Sequence, residues 1–84
     1  MLEQNIPNPA QHTTVIRYTV PADAINAQLV ITDQSGIIVQ QIPHLTAGTS
    51  QVEISTSVLS SGTYQYSLYL NGRKADSKQM IISK

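Results

Sequence analysis

Apolar and polar residues alternate in short runs along this chain, which is the period of half-buried β-strands. In residues 14–20, Ile16, Tyr18 and Val20 fall on one face of the predicted strand, while Arg17 and Thr19 fall on the other. The same alternation predicts strands at residues 14–20, 27–32, 37–42, 51–55, 63–70 and 73–83. No window with a helical period is longer than about one turn, the best candidates being residues 22–26 and 57–59. The pattern therefore predicts an all-β protein.

Turn residues separate these runs. Asp33-Gln34-Ser35-Gly36 is a turn sequence, because aspartate accepts bonds from nearby backbone amides and glycine tolerates a positive φ. Asn71-Gly72 is the strongest hairpin signal and predicts a two-residue type I′ turn. Together the strands and turns predict an immunoglobulin-like antiparallel β-sandwich of about seven strands, with the seventh near residues 5–10. No linker or internal repeat divides the chain, so residues 1–84 are expected to form one domain.

The segment before the penultimate strand resembles a tyrosine corner. In immunoglobulin-like sandwiches, a tyrosine near the start of that strand donates its hydroxyl to backbone a few residues upstream and fixes the connection between the sheets. Tyr64 has this position, after a glycine at Gly62 that lets the chain bend, and Tyr66 falls at a core position. The sequence predicts a structural role for Tyr64, and direct contact with a partner protein is the alternative.

The hairpin at Asn71-Gly72 sets the register of the last strand. If pairing continues from this turn without interruption, Ile81 faces the core and its neighbours point outward, unless a bulge reverses the faces. The outward residues are then Lys78, Met80, Ile82 and Lys84. Such a strip is either an edge that lysines protect from aggregation or a docking strip for a receptor that adds a strand or covers it.

Composition and charge exclude several classes of function. The charges of five basic and five acidic residues cancel, so the chain lacks the net positive charge that attracts nucleic acid or an anionic membrane. The absence of cysteine excludes a disulfide framework and thiol catalysis, and it suits a domain that folds in an oxidising compartment. With 84 residues, one domain can bury only roughly 60–65% of its unfolded surface, which predicts modest stability.

Catalytic and metal-binding arrangements are poor in this sequence. His12 and His44 lie in predicted loops without a cysteine or a nearby histidine that could complete a metal site. No Gly-x-Ser-x-Gly elbow occurs, and Asp33 is a better turn cap than a calcium ligand because one carboxylate makes a weak site. We therefore expect no enzyme activity, no cofactor and no metal ion.

Export signals are also missing from the start of the chain. Residues 1–5 lack the basic start, apolar run and cleavage site of a secretory peptide, and no apolar stretch is long enough to span a bilayer. We expect the chain to be the C-terminal part of a larger precursor whose export signal lies upstream.

Three segments in this order carry a resemblance to a known family. They are Asn5-Ile6-Pro7-Asn8-Pro9, the segment from residue 59 to 66, and the closing residues 77–84, Ser-Lys-Gln-Met-Ile-Ile-Ser-Lys. Over essentially the whole chain, the sequence resembles the type A C-terminal sorting domain of the type IX secretion system, by which Bacteroidetes-type bacteria export large proteins through the outer membrane. The family usually has an aromatic residue after the first motif, where this chain has Ala10, which implies less packing under that loop.

The resemblance implies a C-terminal secretion signal. Such a signal directs a cargo protein, fused to its N-terminus, from the periplasm through the outer-membrane translocon to the cell surface or the medium. A sortase-like cysteine peptidase then removes it and can join the cargo to a surface lipopolysaccharide. The residues implied for translocon recognition are Gly62, Tyr64, Lys78, Met80, Ile81, Ile82 and Lys84. Pro7, Asn8 and Pro9 mark the domain boundary or, alternatively, are a proline-rich lead-in that keeps neighbouring strands from the sheet edge.

A small adhesive or carbohydrate-binding β-sandwich is the alternative function. It would need an exposed aromatic platform, and Tyr69, on the opposite face from the core tyrosines, is the candidate. For the isolated domain, weak self-association through edge strands is a further expectation.

Overall fold

Six antiparallel strands build the fold of this chain. The computed structural model describes all residues, Met1–Lys84. The strands are β1 (Thr13–Val20), β2 (Ala27–Thr32), β3 (Ile38–Ile42), β4 (Gly48–Ser55), β5 (Gly62–Leu70) and β6 (Arg73–Ile82). All six predicted strands are confirmed, while residues 22–26 and 57–59 form turns and bends. The chain forms no helix with the length and hydrophobicity needed for a membrane span.

The strands form two antiparallel sheets. One sheet pairs β1 with β4, and the other has the order β3-β2-β5-β6. This order matches the immunoglobulin-like sandwich, in which β2, β5 and β6 take the places of strands C, F and G, and β3 is an added strand beside C. The predicted fold class is therefore confirmed.

The predicted seventh strand is not formed. Residues 1–10 make only isolated bridges, Leu2 with Tyr18, Ile6 with Val15, and Ala10 with Ile82. Proline has no backbone donor, so Pro7 and Pro9 interrupt the ladder that a true strand would need. The segment instead runs between β1 and β6, which are edge strands of the two different sheets.

Inward-facing residues of both sheets form one hydrophobic core. The buried members are Leu2, Ile16, Tyr18, Val20, Ala27, Leu29, Ile31, Ile54, Leu59, Tyr64, Tyr66, Leu68, Met80 and Ile82. Burial of a large apolar side chain contributes about 1.5–3 kcal/mol. Leu2 belongs to this core, so the N-terminal segment is packed as part of the domain.

Both predicted turns are confirmed. The carboxylate of Asp33 accepts bonds from the amides of Ser35 (2.8 Å) and Ile37 (3.0 Å), and Gly36 has a φ of 85°. Asn71 and Gly72 have φ values of 53° and 82°, as a type I′ turn requires.

A β-bulge in β6 reverses the predicted faces of the last strand. Leu68 pairs with Asp76 and Tyr69 with Lys74, so Ala75 is an extra residue. Beyond this bulge, Met80 and Ile82 are only 0% and 1% exposed, whereas Ile81 is 43% exposed. The predictions that Met80 and Ile82 point outward and that Ile81 faces the core are therefore wrong. Burial of two large apolar residues in place of one favours the bulged register.

Candidate functional site

Three segments that are distant in sequence meet at one end of the sandwich. Ile82 is paired with Gly62 of β5 on one side and with Ala10 on the other. We call this region the terminal pole and define it as residues 7–10, 60–64 and 81–84. It therefore combines parts of all three segments that carry the family resemblance.

Hydrogen bonds hold the end of the chain at the terminal pole. The amide of Ala10 donates to the carbonyl of Ile81 (2.8 Å), and the amide of Ser83 donates to the carbonyl of Ala10 (2.9 Å). Lys84 donates its amide to the hydroxyl of Ser61 (3.0 Å) and its ammonium group to the carbonyl of Ser57 (2.8 Å). The last residues thus have a defined geometry relative to the rest of the domain.

Tyr64 forms the predicted tyrosine corner. Its hydroxyl donates to the carbonyl of Ser60, four residues upstream, at 2.8 Å. The ring lies in the core, so little of its surface is open to a partner. The structural interpretation of Tyr64 is confirmed.

Tyr66 holds the N-terminal segment in place. Its hydroxyl donates to the carbonyl of Glu3 (2.7 Å) and accepts from the amide of Asn5 (2.9 Å). Asn5 is only 1% exposed, and its side-chain amide donates to the carbonyl of Pro7 and to the hydroxyl of Thr14, both at 3.0 Å. Burial raises the pKa of Tyr66, because the phenolate would be poorly solvated there, so the hydroxyl stays protonated and able to donate. This network fixes the chain directly before the boundary motif.

Asp76 holds the first residues of the same segment. Its carboxylate accepts from the amide of Leu2 (2.8 Å) and from the amide of Ser77 (2.8 Å). The bond from Leu2 lowers the pKa of Asp76, partly opposed by desolvation, and Ser77, Lys78 and the N-terminal amine lower it further. Lys78 is half-buried opposite Tyr66, away from the terminal pole.

The predicted site residues divide by accessibility. Tyr64, Met80 and Ile82 belong to the core and cannot offer a docking surface. The exposed members are Pro7, Asn8, Pro9, Gly62, Ile81 and Lys84, and all of them lie at the terminal pole. Ala10 is fully buried beside the end of β6 but is not part of the hydrophobic core, so less packing under this loop stays a prediction.

Two shallow grooves flank the C-terminal residues. One, of about 430 Å³, is lined by Pro7, Pro9, Gln11, His12, Thr13 and Ser83. The other, of about 340 Å³, is lined by Gln11, His12, Ser57 and Lys84. Neither lining contains an acidic residue, and no three His, Cys, Asp or Glu side chains come together anywhere in the structure.

Tyr69 lies apart from this region. It is half-buried on the outer face of the four-stranded sheet, because it follows the inward-facing Leu68 on β5. The other three tyrosines are in the core, so this face presents a single aromatic ring.

Comparison with known proteins agrees with this arrangement. Residues 5–83 match the family described as the secretion system C-terminal sorting domain, a family of sorting signals rather than of enzymes. The match begins at Asn5, where the first motif begins, and ends within the terminal pole. No curated protein and no solved structure matches the chain significantly. Since the match covers nearly all of its length, the chain belongs to the family of C-terminal sorting domains that act as signals in type IX secretion.

Proposed function

We propose that the outer-membrane type IX translocon recognises this sorting signal at the terminal pole. The observation that supports the proposal is the convergence of the three family-like segments on one end of the sandwich. Asn8, Ile81 and Lys84 are exposed at this end, and hydrogen bonds to the backbone amides of Ile81 and Lys84 hold the last residues in place. Because these residues are already ordered, a partner that binds them does not incur the entropic cost of ordering a flexible tail.

The N-terminus leaves the domain far from this surface. The amine of Met1 donates to the carbonyl of Thr19, near the far end of β1, and Leu2 contacts Asp76 near the hairpin end of β6. Asp76 and Ile82 are separated by about 20 Å of strand at 3.3–3.4 Å per residue. A cargo protein fused upstream of Met1 would therefore be attached at the opposite end of the sandwich and would leave the terminal pole accessible.

In this proposal the precursor first reaches the periplasm, and a sortase-like cysteine peptidase removes the domain after translocation. Proteolytic cleavage needs an accessible, unpaired segment. Leu2 and Asn5 are buried, and the amides of Leu2, Glu3, Asn5 and Ile6 are all hydrogen-bonded. The proposed scissile bond accordingly lies upstream of Leu2.

A surface variant at the terminal pole tests this function. Ile81→Ser with Lys84→Ser is expected to abolish export of a fused reporter, because it removes two exposed side chains of the proposed recognition surface. The domain should stay folded, since the partly exposed Ile81 contributes no more than about 1 kcal/mol and the exposed bond from Lys84 to Ser57 about 0.5 kcal/mol. Surface delivery is measured by protease accessibility of the reporter on intact cells.

The matched control lies at the other end of the sandwich. Ile25→Ser with Lys74→Ser removes the same two kinds of exposed side chain near the Asn71-Gly72 hairpin and should leave export unchanged. Normal export by the folded Ile81/Lys84 variant would show that the translocon does not read the terminal pole.

A further inference from the structure

The outer edge of β6 is bonded by side chains where a neighbouring strand would normally lie. The carboxamide oxygen of Asn8 accepts from the amide of Ile81 (3.0 Å), and the side-chain amide of Gln4 donates to the carbonyl of Gln79 (2.7 Å). The carboxylate of Asp76 accepts from the amide of Ser77. In a regular sheet, main-chain groups of the next strand would make these bonds.

The boundary motif explains why side chains are needed. Pro7 and Pro9 have no backbone donor, and Ala10 is the residue that pairs through its main chain, with Ile81 and Ser83. Asn8, between the two prolines, supplies the acceptor for the amide of Ile81. It is thus the one side chain of the motif that is bonded to the exposed end of β6.

This bonding restricts how a partner can bind. A free edge strand can accept a strand from another protein. On this edge of β6, most main-chain groups already have partners, namely the amides of Ser77, Ile81 and Ser83 and the carbonyls of Gln79 and Ile81. A partner at the terminal pole must therefore contact side chains of a preformed surface or first displace the N-terminal segment.

We propose that Asn8 is a positioning residue for recognition: its carboxamide holds Ile81 and the residues after it in the geometry that the translocon reads through their side chains, without strand addition to β6. The proposal rests on the proposed function of the terminal pole. It gives the Pro-Asn-Pro motif a role in the folded signal that is separate from marking a boundary.

Two variants of Asn8 and one control test this role. Asn8→Ala removes the acceptor, whereas Asn8→Asp retains an oxygen at the same place. Asn26→Ala is the matched control, because the Asn26 side chain is exposed and makes no hydrogen bond within the domain. Amide hydrogen exchange of Ile81, followed by NMR, reports the bond, and surface delivery of a fused reporter reports recognition.

Asn8→Ala should speed exchange at Ile81 by about three- to tenfold, the effect of losing one ordinary hydrogen bond, and leave core amides such as that of Ile31 unchanged. Export should fall strongly in Asn8→Ala, and it should remain near the wild-type level in Asn8→Asp and in the control. These results together would support the proposal.

Three results would overturn it. One is unchanged exchange at Ile81 in Asn8→Ala. Another is faster exchange with normal or improved export, which is what strand addition to an unmasked β6 would give. The third is restored protection in Asn8→Asp without restored export, which would mean that the carboxamide itself is read. Loss of the proposed function is recognised separately, by normal export of the folded Ile81/Lys84 variant.

Discussion

Replacement of Met80 and Ile82 together by serine is expected to unfold the domain. Both side chains are fully buried in the core. Truncation of a large core residue costs about 2–5 kcal/mol, and a serine hydroxyl without a partner adds a desolvation cost. The whole domain should be stable by only roughly 4–13 kcal/mol at the usual 0.05–0.15 kcal/mol per residue. Circular dichroism of the double variant should therefore show no cooperative thermal transition above 25 °C.

Ile81→Ser is the internal control for this experiment. Ile81 lies between the two core residues on the same strand but is partly exposed, so its replacement should cost no more than about 1 kcal/mol. A wild-type midpoint for the Met80/Ile82 variant together with an unfolded Ile81 variant would contradict the bulge at Ala75. It would favour the uninterrupted hairpin register instead.

Tyr66→Phe is expected to lower the free energy of unfolding by about 2–4 kcal/mol. The substitution keeps the ring but removes a hydroxyl that bonds both the carbonyl of Glu3 and the buried amide of Asn5. Loss of the partner of the buried Asn5 amide costs about 1–3 kcal/mol, and loss of the bond to the carbonyl of the exposed Glu3 adds about 0.5–1.5 kcal/mol. Urea denaturation at neutral pH measures the change.

Tyr64→Phe is the comparison variant. It removes one hydrogen bond to the carbonyl of Ser60, an exposed residue that water can reach, so a loss of about 0.5–1.5 kcal/mol is expected. If Tyr66→Phe proves no more destabilising than Tyr64→Phe, Tyr66 does not hold the N-terminal segment.

Local patterns in the sequence were enough to predict the strands and turns. The alternation in β5 and the Asn71-Gly72 turn each follow from neighbouring residues, and both are confirmed. The bulge at Ala75 was not predictable in the same way. No glycine marks it in β6, and the two registers differ mainly in whether Met80 and Ile82 or Ile81 join a core contributed by distant strands. The signal available in the sequence was that the bulged register buries two large apolar residues, Met80 and Ile82, whereas the uninterrupted register buries only Ile81.

The N-terminal segment shows a second limit. A seventh strand was predicted here, but its prolines interrupt the ladder. Its distant contacts come from the side chains of Gln4 and Asn8 and from the backbone amide of Asn5. Such residues have no hydrophobic period, and their partners lie more than 60 residues away in the sequence. Their roles became visible only when the fold placed them beside β6.

The terminal pole depends on both kinds of information. The resemblance identified its three segments, but it also assigned recognition to Met80 and Ile82, which the bulge buries. Only the topology, with residues 7–10 beside the end of β6 and β5 on its other side, shows that the exposed motif residues lie at the same end of the sandwich.

Export of a reporter tests the central claim most directly. The reporter carries an inner-membrane export signal at its start and residues 1–84 at its C-terminus, and it is expressed in a host with the type IX machinery and in a mutant of that host without the translocon. We predict surface delivery in the first strain and accumulation in the periplasm of the second. Equal surface delivery in both strains would contradict the account of this domain as a type IX sorting signal.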